Sequence, residues 1–240
     1  DSVRLTDQHV GQVMARLEKE GLLENTLIIF MTDHGISHAR GKQFLYDEGT
    51  HIPFIVRGPH VPAGAVRDDL VEHIDMAAIS LAAAGLEIPA SLQGRNILAA
   101  DYAPRTTAFA ARDRCDETAM RIRSVRDARY RYIKNFTPEV PFLAPNNYKE
   151  TQYPVWNLLK ELNAEGKLTP AQAVLCAPRM PDEELYDLQS DPDEIKNLAT
   201  SKDPKDQATL KRLRRVMENW IKETHDQGEN PEMKGAPSED

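Results

Sequence analysis

The sequence predicts an α/β fold in which a mixed or largely parallel sheet flanked by helices is followed by a smaller α+β part with an antiparallel sheet and a C-terminal helix. Three observations carry that expectation. An apolar stripe at helical spacing precedes two short, unbroken apolar runs, a second helical stripe follows them, and beyond about Gly94 charged and apolar residues alternate.

Val10, Val13, Met14 and Leu17 fall at i, i+3, i+4 and i+7, so the first element is a helix, with Gly21 as its stop. Leu27-Ile28-Ile29-Phe30-Met31 is too short for a helix and rich in β-formers, which predicts a strand buried on both faces. Pro53-Phe54-Ile55-Val56 predicts a second buried strand, ended by Gly58-Pro59. Asp75 is expected to cap the helix of Met76, Ile79 and Ala83, with Gly85 at its end. Next, Arg121, Arg123, Arg129 and Arg131 alternate with Met120, Ile122, Tyr130 and Tyr132 around Asp127-Ala128, the pattern of an antiparallel hairpin with one wet face. Pro138, Pro141, Pro145 and Pro154 mark loops, and Leu210, Leu213, Met217, Trp220 and Ile221 form the core-facing stripe of a last helix. The expected division is residues 1–100, 101–227 and a polar, flexible tail at 228–240.

Composition narrows the function. Of 240 residues, 40% are hydrophobic and 28% charged, enough apolar mass for a real core. No apolar run approaches the ~18 residues of a membrane span. A net charge of −8 argues against a nucleic-acid partner. Nearly all of that excess lies between Asp182 and Asp240, where nine basic residues face sixteen acidic ones. Two cysteines, Cys115 and Cys176, allow at most one disulfide and read as small, partly buried residues. The chain opens Asp1-Ser2-Val3-Arg4, with no charged-then-apolar leader, and reads as a segment of something longer.

The chemistry concentrates where the first apolar run ends, at Thr32-Asp33-His34-Gly35. In open α/β sheets ligands bind beyond the carboxyl ends of strands, so an acid and an imidazole placed there suit a metal site. The alternative is a plain turn capped by Asp33. Lys42 follows in Gly41-Lys42. A lysine beside a divalent cation makes electrostatic sense when an anion such as sulfate or phosphate lies between them, although most lysines are simply solvated.

Asp33-His34-Gly35, Gly41-Lys42-x-x-x-Tyr46 and Ile52-Pro53-Phe54-Ile55-Val56-Arg57-Gly58-Pro59 resemble the second half of the sulfatase catalytic domain, within the alkaline-phosphatase-like superfamily. Arg131-Tyr132-Ile133-Lys134-Asn135-Phe136, Glu184-Leu185-Tyr186-Asp187-Leu188, Asp191-Pro192-Asp193-Glu194 and Trp220-Ile221-Lys222-Glu223-Thr224-His225-Asp226 are similar to the C-terminal subdomain of its heparan N-sulfatase branch. That resemblance implies Asp33 and His34 as metal ligands, Lys42 as a sulfate contact, Ca²⁺ as the metal, and a sulfated glycan or small molecule as substrate. It also implies a Cys-x-Pro/Ala-Ser-Arg motif oxidised to formylglycine, whose hydrated aldehyde attacks sulfur. That motif is absent from these residues, and Cys176-Ala177-Pro178-Arg179 does not fit it. Without nucleophile and paired aspartates, the 240-residue chain is expected to be inactive alone, and an extracytoplasmic location is implied by the family only.

His38, four residues after His34, is a candidate substrate contact, since Gly35 opposes the helix a zinc pair would need. His51 could line the same crevice or be structural, and His9, His60, His73 and His225 read as structural. Arg112 to Lys134 holds eight basic and four acidic residues, a glycan-steering patch or simply the wet face of the hairpin. Two alternatives stay open: a phosphate or phosphonate ester hydrolase of the same superfamily, and a non-catalytic glycan-binding module. Oligomeric state is not legible.

Overall fold

The computed structural model describes residues 1–229 and forms two compact units. The first comprises Asp1–Asp33 and Ile52–Pro104; the second comprises His34–His51 together with everything from Arg105 onward.

In the first unit, α1 (Ser2–Lys19) ends where Gly21 takes φ +68°, the left-handed conformation glycine reaches without strain. No residue of α1 is buried, and Val3 is 83% exposed. Strands β1 (Ile28–Met31) and β2 (Phe54–Arg57) lie where the apolar runs predict them. They pair antiparallel, Ile28 opposite Arg57 and Met31 opposite Phe54, which corrects the parallel expectation for this pair. The connection, residues 32–53, is long enough for a crossover but contains only the one-turn helix α2 (Asp47–Thr50), not the longer helix that usually lies across a sheet and returns the chain for a parallel start. Burial on both faces is corrected too, because both strands are half-exposed and Ile55 stands 61% exposed. Short apolar runs report hydrophobicity, not what is present to cover it.

Helix α3 (Asp75–Ala83) ends at Gly85, φ +69°, as its sequence predicts. Asp75 does not cap it. The carboxylate is buried and accepts the Glu72 N–H upstream at 2.9 Å and the Arg95 N–H of the returning chain at 2.8 Å, stapling two loops to the helix start.

The second unit is built on one antiparallel sheet in the order β3 (Ala108–Cys115), β4 (Thr118–Arg126), β5 (Tyr130–Asn135), β6 (Glu183–Asp187). The β4–β5 hairpin is the predicted one, its turn fixed by Asp127, which accepts the N–H groups of Arg129 and Tyr130. On one face Val125, Tyr132 and Leu185, in cross-strand register, meet Leu210, Leu213 and Met217 of α7 (Pro204–Glu223). Trp220 extends that stripe, its ring stacked 4.9 Å from Phe109. On the other face Ile122, Ile133 and Tyr186 meet Phe44, Tyr46, Phe142 and Trp156.

With both faces covered, the wet face expected of the hairpin is largely buried, and of its four arginines Arg129 alone stands exposed. Arg123 and Arg131 are 1% and 2% exposed and Arg112 is buried too, which takes three of the eight basic residues out of the steering patch read from the charge count. Alternation had the right period but the wrong sign of burial, because ion pairs bury what composition alone would leave in water. Arg123 donates to both carboxylate oxygens of Asp226, at 2.8 and 2.7 Å, tying the end of α7 to β4.

Between β5 and β6 the chain forms α4 (Asn147–Gln152), α5 (Pro154–Ala164) and α6 (Pro170–Ala173). Pro154 is therefore the first residue of a helix, where its missing N–H costs nothing, rather than a loop marker. Gly228 and Glu229 are held, by the Asp226 carboxylate and by Arg121 respectively. The remainder of the expected tail lies outside the described residues. Among those described, no helix is long and apolar enough to cross a membrane.

Candidate active-site loop

Residues 34–51 carry His34, His38 and Lys42 on a loop whose path is fixed from within by glycine. Gly35 N–H donates to Gly49 O at 2.9 Å and Ile36 N–H to Glu48 O at 3.0 Å, closing the loop at its neck. A second closure runs from Lys42 N–H to Ile36 O at 2.9 Å. A Cβ at Gly35 would sit 1.9 Å from Glu48 O, one at Gly41 1.8 Å from Ile36 O, and one at Gly49 2.1 Å from Phe44 O. Only hydrogen fits at these three positions.

From beneath, side chains of the sheet and of α4 grip the loop's carbonyls. Lys149 Nζ donates to His38 O at 3.2 Å and to Lys42 O at 2.8 Å. Arg112 donates to Gln43 O at 2.9 Å, and Arg131 to Leu45 O at 2.9 Å and to the Asp47 carboxylate at 2.7 Å. Glu194 accepts the Asp47 N–H at 2.6 Å, and Arg40, lying 4.1 Å over the Tyr46 ring, donates to the carbonyls of Asp193 and Glu194. Tyr46 donates its hydroxyl to buried Glu184 at 2.9 Å.

Burial shapes these groups. It pushes the Lys149 ammonium down to about 8, helped by the neighbouring Arg112 cation, and Arg112 itself down to about 10. It raises Glu194. Burial would raise Asp47 as well, but Arg131 and Arg126 outweigh it and hold that carboxyl below its ordinary range.

Asp33 is exposed and closes the first unit's leading stretch; His34 opens the second unit's loop. The His34 Nδ1 lies 2.7 Å from Gly35 O, an acceptor that favours a proton on that nitrogen. Among the described residues no group of three or more His, Cys, Asp or Glu side chains could hold a metal. One carboxylate and one imidazole fall short of the six to eight oxygens calcium takes.

Lys42 Nζ lies 3.4 Å from the Tyr148 hydroxyl and 4.7 Å from that ring's centroid. A hydrogen bond from Tyr153 and the Lys42 cation hold the Tyr148 phenol below its usual range. His38 is exposed and lines a cavity of about 290 Å³ with Arg40 and Glu48, opposite Val155, Leu159 and Leu175. The structure thus puts His38 and Lys42 on one rigid loop. It turns His51 to Asp47, 3.0 Å away, and His73 to Thr32 O, 3.0 Å away.

Lys149 and Tyr148 escaped the sequence reading, although a signal existed. Asn146 is a helix cap whose side chain accepts the Lys149 N–H at 2.8 Å, and a capped turn after Pro145 should have been read as a helix start.

Residues 1–86 match the family model described as Sulfatase. The chain is 38% identical to an ulvan-active sulfatase of Formosa agariphila over 94% of its own length and 38% of that protein. It is 31% identical to the N-sulphoglucosamine sulphohydrolase of Homo sapiens over 92% of its length and 46% of that protein. In fold it is similar to a solved 2-O GAG sulfatase, with TM-score 0.66 and 23% identity, covering 92% of this chain and 41% of that one. The chain therefore spans less than half the length of these relatives.

Proposed function

Because the chain belongs to the sulfatase family, we propose that it contributes the second half of a formylglycine-dependent sulfatase site acting on sulfate esters or N-sulfates of a glycan. Asp33 and His34 supply two ligands of one divalent cation, Ca²⁺ by family resemblance. Lys42 binds a sulfate oxygen through its ammonium, and His38 contacts the substrate beside it. When bound, the cation draws charge from the sulfuryl oxygens. Lys42 neutralises the same group from the side of the loop by a charge-assisted hydrogen bond. The nucleophile and remaining ligands lie outside these 240 residues, so the chain alone does not turn over. An extracytoplasmic location belongs to the same reading.

The observation that carries it is the rigidity of the loop. Three glycine contacts and three buried side chains, Arg112, Arg131 and Lys149, fix the backbone of the loop that carries His38 and Lys42 in advance, so binding does not have to order it.

The test is Lys42→Ala and Asp33→Ala in the full-length protein, assayed on an aryl sulfate, N-sulfoglucosamine and a phosphonate monoester. Loss of kcat/KM on the sulfates by a hundredfold or more is expected. Faster turnover of the phosphonate than of either sulfate would favour phosphoryl chemistry. Robust sulfate hydrolysis by residues 1–240 alone would overturn the division of labour.

A further inference from the structure

Lys149 is fully buried, yet among the described residues it has no carboxylate as a hydrogen-bond acceptor. Its Nζ donates to two main-chain oxygens, His38 O and Lys42 O, at 3.2 and 2.8 Å. Around it stand the rings of Tyr153 at 4.6 Å, Trp156 at 5.5 Å and Phe44 at 5.7 Å, whose faces stabilise a cation deprived of water. Arg112 and Lys42 bring further positive charge, so an ammonium here is electrostatically costly. A lysine needed only for packing would be better as methionine. The two carbonyls it holds belong to the residues proposed above to contact the substrate and its sulfate, His38 and Lys42, and they bracket the turn between them.

We propose that Lys149 is the positioning residue of the sulfate-binding loop: its buried ammonium ties the His38 and Lys42 carbonyls to one point and thereby sets where the Lys42 side chain starts. The proposal rests on the reading of Lys42 as a sulfate contact. Asn146 caps the helix that carries Lys149, and Tyr148, one residue earlier on that helix, faces the Lys42 ammonium, so one short helix registers both ends of the Lys42 side chain.

The experiment compares Lys149→Met, Lys149→Gln and Lys42→Ala in the full-length enzyme. Methionine keeps the hydrocarbon volume against the three rings and removes the donors. Glutamine keeps a donor but is one atom shorter. Both are expected to lower kcat/KM on an aryl sulfate about tenfold or more, with the loss appearing in KM and in the Ki of inorganic sulfate. Hydrogen exchange at the Gly41 and Lys42 amides should accelerate while exchange across the sheet stays unchanged. If either variant folds with unchanged kcat/KM and unchanged exchange at those amides, the proposal is overturned; glutamine carries the test should methionine fail to fold. If Lys42→Ala leaves kcat/KM intact while Lys149→Met still loosens the two amides, the sulfate reading fails and the role of Lys149 in holding the loop stands.

Discussion

In the second unit Arg123, 1% exposed, donates to both carboxylate oxygens of Asp226, while in the first unit Ile55 stands 61% exposed on a two-stranded sheet. The inversion is general. The second unit buries Arg131, Lys149, Glu184 and Glu194 between two apolar clusters, whereas α1 of the first unit buries nothing. Buried charges require partners placed to within a few tenths of an ångström, so a unit that contains them carries its own specification. Half-covered apolar strands specify only that something should cover them. The loop of candidate residues goes with the self-specified unit, which suits a site that must hold an ammonium in place.

Four measurements can break or sharpen that contrast. Asp226→Ala should cost the second unit roughly 3 kcal/mol in urea unfolding, because it removes two charge-assisted hydrogen bonds from the buried Arg123 guanidinium and leaves Asp113, 2.8 Å away, as its remaining carboxylate. A cost near zero would mean that the network is decoration. Leu213→Ala, under the α7 stripe, should cost roughly 2–5 kcal/mol by leaving a cavity. Acid should act on the same unit. Hydrogen bonds from Arg129 hold the Asp187 carboxyl down to about 2, and those from Arg123 do the same for Asp226. Folded values below the unfolded one give stability that is complete above about pH 4 and lost as pH falls toward 2. Asp226→Asn should flatten part of that limb in a melting series from pH 5 to 2. The smallest effect is expected in the first unit, where Ile55→Thr should change stability by no more than about 0.5 kcal/mol. A larger loss would show that Ile55 is covered in solution, and the contrast would weaken.

Sequence reading found what depends on local pattern and missed what depends on partners. Gly21, Gly85, the β4–β5 hairpin and the α7 stripe each follow from a period or a terminator, and each stands where expected. Strand direction at β1–β2 did not, since an apolar run has no polarity. Asp75 satisfied the rule for a cap yet serves Glu72 and Arg95 instead, the second twenty residues away. At the candidate site, the glycine-punctuated loop that carries His34, His38 and Lys42 was legible from its glycines. Lys149 was not, for its function lies in contacts 107 and 111 residues distant.

The three glycines of that loop divide what selection can reach. Where a single added carbon would overlap a carbonyl oxygen, the backbone course admits no variants, and drift there is closed. Ser37 and His38, both exposed, carry no such restriction, whereas Gln43 is held at φ +81°. Variation in this lineage should therefore collect on those outward side chains over an unaltered track, so that relatives share the path of the loop and differ in what projects from it.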